Sequence, residues 1–380
     1  MQIVTASWTQ RRGWDVPLPE GWDCPDTLVL AFGPSSMLDD PGPLPDLVRR
    51  FPTAVLLGCS TSGEISGSRL LDDSLTVAVV KFERTRLAVV SAAVVESDSS
   101  TVGRELGRQL RGFGDDLVAT LLLSDGTLVN GSALAAGLAV GTGRGSVASG
   151  GLAGDGSRFV RTWVLVDGTP RTGYAVAVGL YGSHLDVGYG SDGGWSVLGP
   201  ERVVTRSEGN VLLELDGQPA LDLYRTYLGD RAAGLPATAL LFPLSVRMPG
   251  AGERELVRTV LGIDDERCSM TFAGDIPEGA RATLMRSTSN RLVEAAYGAA
   301  RAAALPDDAP ALALAVSCVG RRLYLGQRTE EELEAVVESL PAGVTVVGFY
   351  SYGELSPVLG GGCDLHNQTM TLTVLKERAA

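Results

Sequence analysis

Apolar positions along the chain fall into short runs, each followed by a glycine, a few small or hydroxyl residues, and a carboxylate. Val55-Leu-Leu-Gly-Cys-Ser-Thr-Ser-Gly-Glu-Ile65 and Val344-Thr-Val-Val-Gly-Phe-Tyr-Ser-Tyr-Gly-Glu-Leu355 share this order. Both predict a buried strand running into a Gly-Glu turn. The segments that follow also match: Asp73-Ser-Leu-Thr-Val-Ala-Val-Val-Lys81 parallels Asn367-Gln-Thr-Met-Thr-Leu-Thr-Val-Leu-Lys376, each an alternating strand. Two fainter copies, Gly150-Gly-Leu-Ala-Gly-Asp155 and Met270-Thr-Phe-Ala-Gly-Asp275, lie between them. Self-similarity at this spacing marks internal duplication.

Each turn has an apolar strand upstream: Leu28 to Phe32, Thr120 to Leu123, Ala239 to Phe242 and Ala311 to Val316. Helix-like segments fill the gap in three copies, at Leu44 to Arg50, Ser132 to Val140 and Glu330 to Leu340. In the third copy, Glu255 to Ile263 reads as a strand instead. Further helices at Thr101 to Arg111 and Asn290 to Ala304, the latter with Ser289 as its N-cap, separate the copies in pairs. The expectation is a mixed α/β (α+β) protein of two related halves. Each half holds two strand-helix-strand units with mixed or antiparallel sheets, and the domains span residues 1–215 and 216–380.

Composition narrows the function. A net charge of −13 opposes a nucleic-acid surface, which needs clustered cations, and an anionic membrane face. No apolar run approaches the ~20 residues that span a bilayer. The five cysteines are scattered without a CxxC pair, so thiols rather than disulfides or a zinc site are expected, and with them a cytoplasmic location. Lys81 and Lys376 are the only lysines and neither follows a glycine-rich loop, which opposes Schiff-base and Walker chemistry. The two histidines, His184 and His366, stand apart, and no cofactor or metal is expected. Gly188-Tyr-Gly-Ser-Asp-Gly193 fits a dinucleotide fingerprint as text but lacks the strand and helix around it. Cys59 has neither the spacing of a nucleophile elbow nor an evident base.

The turns are the candidate ligand site. Glycine beside a carboxylate permits close backbone approach, and the acid can accept hydrogen bonds from a cationic or hydroxylated ligand. The same chemistry also serves ordinary turns, where the acid caps local amides. The candidates are Ser60, Thr61, Gly63 and Glu64 in the first copy, Gly154 and Asp155 in the second, and Tyr352, Gly353, Glu354 and Asn367 in the last. Arg321 and Arg322, directly after an apolar strand, suit a carboxylate or phosphate, or else an internal pair with an acid such as Glu330 or Glu354. Arginine and glutamate in one pocket would suit a zwitterion such as an amino acid.

These segments resemble the FIST family. The first and second turns, with Glu208-Gly-Asn-Val-Leu-Leu-Glu-Leu-Asp-Gly-Gln-Pro-Ala-Leu-Asp222, resemble the N-terminal FIST domain and its junction. Ser317-Cys-Val-Gly-Arg-Arg322, Gly348-Phe-Tyr-Ser-Tyr-Gly-Glu-Leu-Ser-Pro357 and Leu365-His-Asn-Gln-Thr369 resemble the C-terminal FIST domain. The resemblance runs over nearly the whole chain from about Thr27. It implies a bacterial sensory module that binds a small polar metabolite, with amino acids one suggestion, and it carries over no catalytic residue. With no room for an output domain, signalling would pass through a separate protein partner. A hydrolase or transferase using paired carboxylates, and a scaffold for a protein partner without a small ligand, are the alternatives.

Overall fold

The computed structural model describes residues 1–94, 98–143, 145–235, 237–247, 255–357 and 362–378. Three of its sheets share one plan. In the first, Thr27–Gly33 pairs in parallel with Val55–Ser60 across the helix Leu44–Arg50. Leu75–Lys81 lies antiparallel on its other side, and Gln2–Thr9 flanks that strand. The second repeats this with Leu117–Ser124, the helix Gly131–Thr142 and Val147–Leu152, then Tyr174–Tyr181 and Arg86–Ala93. The third does so with Ala311–Cys318, the helix Thr329–Ser339 and Val344–Ser351, then Met370–Glu377 and Leu185–Asp192. Parallel neighbours need such a crossover, and helices then cover the sheet face.

After each parallel pair the chain leaves through its glycine–carboxylate turn and adds a short strand to a different sheet. Glu64–Ser66 joins the third sheet, Gly353–Pro357 the second, and Val164–Val166 the first. The exchange is cyclic, so the three units close on one another around a shared apolar core. Leu30, Leu121 and Leu314 meet there, and the rings of Phe32 and Phe349 stack at 4.9 Å. A glycine recurs at the matching place in each second strand. A Cβ on Gly58, Gly150 or Gly348 would collide with the carbonyl oxygen of Ala31, Leu122 or Ala315, its neighbour in the parallel strand. These glycines let the strands approach, which explains the glycine just upstream of each turn.

The mixed α/β architecture and internal repetition agree with the sequence reading, but the repeat count does not. Among the described residues there are three strand-helix-strand units rather than four, and the third expected copy is not one of them. The described residues between Arg202 and Arg286 instead contribute an antiparallel sheet with its own core around Leu212, Tyr224, Val246 and Phe272. Ala239 to Phe242, expected as a strand, falls in and just beyond a 3-10 segment at Ala237–Leu241. Four apolar residues stopped by Pro243 carry no period that separates a strand from a helical turn. Glu255–Arg258 and Val260–Asp264 are strands, as their sequence suggests. The helix Ser289–Ala303 is capped by Thr288 rather than Ser289, the Thr288 hydroxyl accepting from the Arg291 amide. No helix among the described residues is long and apolar enough to cross a membrane.

Candidate functional site

The three turn carboxylates occupy matching places at the ends of the parallel pairs, and all are buried. Glu64 accepts from the Thr61 hydroxyl at 2.5 Å on Oε1, and from the Ser74 hydroxyl at 2.8 Å and amide at 3.4 Å on Oε2. Glu354 repeats the pattern: Ser351 donates to Oε1 at 2.6 Å, and the Thr369 hydroxyl and amide donate to Oε2 at 2.9 and 3.2 Å. In both, a hydroxyl three residues upstream and a Ser or Thr at the head of the next strand clamp the acid. Burial pushes each carboxyl up to about 8, against the downward pull of these hydrogen bonds.

Asp155 is held differently. Its oxygens accept from the backbone amides of Phe159, Val160 and Arg161 at 2.8, 3.0 and 3.1 Å, and from the Tyr352 hydroxyl. Burial pulls this carboxyl up, but the Tyr352 hydroxyl and the three amides together outweigh it and hold the acid below its ordinary range. The result is a fixed loop in which Phe159, at φ +54°, stacks its ring on Tyr352 at 4.3 Å. That left-handed backbone is uncommon for a bulky residue and persists here because Asp155 and Tyr352 both bind it.

The remaining sequence candidates are structural neighbours of these clamps. The Ser60 hydroxyl accepts from the Trp163 amide at 3.0 Å, and the Ser60 carbonyl accepts from the Gly154 amide at 2.9 Å. Gly63, at φ +125°, lies under the Arg322 guanidinium. Gly353 pairs with Leu152 in the second sheet. Asn367 accepts from the Thr259 amide at 3.4 Å and donates to the His366 carbonyl at 3.0 Å, tying the third unit to the antiparallel domain. Arg321 is fully buried and donates to Glu332 at 2.7 Å and to the carbonyls of Gly193 and Leu292 at 2.8 and 2.7 Å. Its acid partner is thus Glu332, which also accepts from Tyr350 at 2.6 Å. Arg322 binds Asp72 in a two-pronged pair at 2.9 and 2.7 Å and donates to the Ser62 carbonyl at the first turn. Arg322 and Glu64 are therefore brought to one turn, whereas Arg321 is drawn into a separate network. Among the described residues, no group of three His, Cys, Asp or Glu side chains is placed to hold a metal ion.

A cleft of about 950 Å³ opens between the antiparallel domain and the third unit, and none of the twelve sequence candidates lines it. Arg231 comes from the 3-10 segment after helix Ala220–Leu228, Arg286 from the end of strand Arg281–Arg286, and Arg291 from the first turn of the following helix. The guanidinium groups of Arg286 and Arg291 have no hydrogen-bond or ion-pair partner among the described residues, and Arg231 only overlies the Phe242 ring at 5.4 Å. Ser287, Thr288, Thr238 and Tyr324 add hydroxyls, and Asp230 adds one carboxylate. The helix N-terminus at Thr288 adds a favourable field for an anion. In a chain of net charge −13, three arginines against the single carboxylate of Asp230 make the cleft locally cationic.

One clamp is linked to this cleft. Glu354 holds Thr369, whose neighbour Gln368 donates from its amide to the Leu240 carbonyl at 2.9 Å, in the 3-10 segment whose Thr238 and Leu241 line the cleft.

The FIST N domain matches residues 27–218 and the FIST C domain residues 220–357. The chain belongs to the FIST family. Two curated proteins of Mycobacterium tuberculosis, from strains CDC 1551 / Oshkosh and H37Rv and both named uncharacterized, are 26% identical over 185 residues, 47% of this chain and 48% of each relative. The chain thus spans about half the length of the curated relatives it matches. Among solved structures, a chorismatase is similar over 99% of this chain and 98% of its own at 10% identity and TM-score 0.37. A cyanuric acid hydrolase from A. caulinodans is similar over 93% and 90% at 8% identity and TM-score 0.35. Scores of that size carry nothing about chemistry. Within the FIST chain, sequence reasoning overlooked the cleft because Arg286-Ser-Thr-Ser-Asn-Arg291 reads first as a strand end and a helix cap. Two arginines flanking a run of hydroxyl residues was the available signal.

Proposed function

We propose that this FIST protein binds a small carboxylate-bearing metabolite in the arginine cleft and passes the bound state to a separate partner. The observation that carries the reading is the pair Arg286 and Arg291, unpaired among the described residues and facing a cleft large enough for a metabolite. Guanidinium groups match carboxylate geometry with two parallel donors. An amino acid is the simplest fit within this class, its carboxylate on the arginines and its ammonium facing Asp230. The cleft lies between the core of the antiparallel domain and that of the third unit, which the cluster of Met285, Leu292 and Leu325 joins, so a ligand that touches both sides would favour a small closing shift of one on the other. Closure of that kind is a signal a partner can read.

Calorimetry against glycine, alanine, glutamate, succinate and the polyamine spermidine tests the reading. Binding of carboxylates but not of spermidine, lost in Arg291→Ala, supports it. Spermidine binding, or carboxylate binding untouched by Arg286→Ala and Arg291→Ala, overturns it.

A further inference from the structure

The arginine cleft continues into a second groove, of about 590 Å³, and the two share Gly234, Thr238, Leu241 and Leu323 as walls. Their chemistry is opposite. Among the described residues none lining the second groove carries a charge, and its walls are mainly apolar. Phe159, Leu261 and Leu323 are 37, 44 and 43% exposed, although the chain buries most of its large apolar side chains. Three exposed apolar residues gathered along one groove, rather than scattered singly, mark a binding surface.

Phe159 strengthens the case. Its left-handed backbone is maintained by the buried Asp155 carboxylate, and its ring rests on Tyr352. Backbone strain of this kind survives only where the surroundings over-determine it. Here the surroundings keep an aromatic ring at the wall of an apolar groove instead of letting it turn into the core.

We propose that the two grooves form one bipartite site for an amphipathic carboxylate. The head sits on Arg286 and Arg291, and an acyl tail runs past Leu323 towards Phe159 and Leu261. This rests on the arginine cleft being the anion site and narrows its ligand class. Asp155 and Tyr352 act as positioning residues for the tail groove. A short or wholly polar ligand would leave the groove wet and its apolar walls without partners.

The test is calorimetry with acetate, butanoate, octanoate and octylamine on the full chain, and on Arg291→Ala and Leu261→Asn, the latter at an exposed position that lines the second groove and not the arginine cleft. Affinity should climb about fourfold per methylene from butanoate to octanoate. Arg291→Ala should weaken butanoate and octanoate alike. Leu261→Asn should cut octanoate at least tenfold and leave butanoate unchanged. Equal binding of butanoate and octanoate, or an equal loss of both in Leu261→Asn, overturns the tail and leaves the arginine site standing. Octylamine binding as tightly as octanoate overturns the head assignment and with it the proposal. Binding of no carboxylate at all removes both this inference and the reading beneath it.

Discussion

The turn carboxylates and the cleft arginines are opposite solutions to placing a charged group. Glu64, Asp155 and Glu354 are buried, and each oxygen that needs a partner finds one within its own unit or the adjoining strand. Arg286 and Arg291 are exposed beside a cleft, with no partner among the described residues. A buried carboxylate held by neighbouring hydroxyls and amides is shielded from a ligand in solution, whereas an unpaired cation at a cleft keeps its donors available. Recurrence in sequence therefore tracks the closure of the three units, and function is sought where the pattern breaks.

The sharpest way to break the comparison is through the buried pair beside the third turn. Glu332→Ala would leave Arg321 charged, fully buried and bonded only to carbonyls. Removing one partner of such a pair costs about 3–5 kcal/mol. Denaturant unfolding should show the midpoint falling with the slope unchanged. A loss below 1 kcal/mol would mean that solvent reaches this network.

Asp155→Ala comes next. It strands the amides of Val160 and Arg161 and takes one acceptor each from the Phe159 amide, which still donates to Tyr352, and from the Tyr352 hydroxyl, which still donates to the Gly156 carbonyl, with an expected loss of about 2–3 kcal/mol. Its second effect separates the two regions. Octanoate affinity should drop as the Phe159 loop relaxes, while butanoate affinity holds. Equal loss of both ligands would show that Asp155 supports the whole fold and not this loop in particular.

Much of the body was legible in sequence. Leu44–Arg50, Gly131–Thr142 and Thr329–Ser339 stand where apolar periodicity puts helices, and the strand-turn-strand order of the three units follows from their runs. The closure was not legible, because the strand after each turn pairs with a different unit and nothing local encodes that partner. The antiparallel domain was misread at Ala239 to Phe242, where a short apolar run served a 3-10 turn. In sequence Asp155, Tyr352 and Asn367 read as ligand contacts; in the structure Tyr352 donates to Asp155, and Asn367 accepts from the Thr259 amide. The arginines of the cleft come from three elements, and sequence alone does not bring them together.

A smaller effect per step concerns pH. Glu64 and Glu354 have folded-state values near 8, above the ordinary 4.5, because burial disfavours their charge. Their stabilising contribution is full below about pH 4.5 and is lost as pH rises towards 8. Between those limits each acid costs at most about 1.4 kcal/mol per pH unit. Glu64→Gln and Glu354→Gln keep the shape and both sets of partners while removing the ionisation. Each should flatten the stability curve between pH 5 and 8, and the double variant should flatten it twice as much. A slope unchanged in both variants would show that the acids are already ionised in the fold and held by their hydroxyl partners. Asp155 runs the other way: its carboxyl is held below its ordinary range, so its stabilising contribution is lost as pH falls into the acid range.

The smallest stability effect belongs to the arginines and is the most telling. Arg286 and Arg291 anchor nothing among the described residues, so Arg286→Ala and Arg291→Ala should change unfolding by no more than about 0.5 kcal/mol. Relief of the repulsion between neighbouring cations even allows a slight gain. Against that silence in stability, each should weaken carboxylate binding at least tenfold, the loss of about 1.4 kcal/mol expected for one charge-assisted contact. Glu332→Ala has the opposite signature, with a large change in folding and a carboxylate affinity that is unchanged wherever the protein remains folded. If the arginine variants unfold like Glu332→Ala, the distinction between satisfied turns and an available cleft fails. If they bind carboxylates as the parent does, the unpaired cations serve solubility alone, and the ligand must be sought on the turns after all.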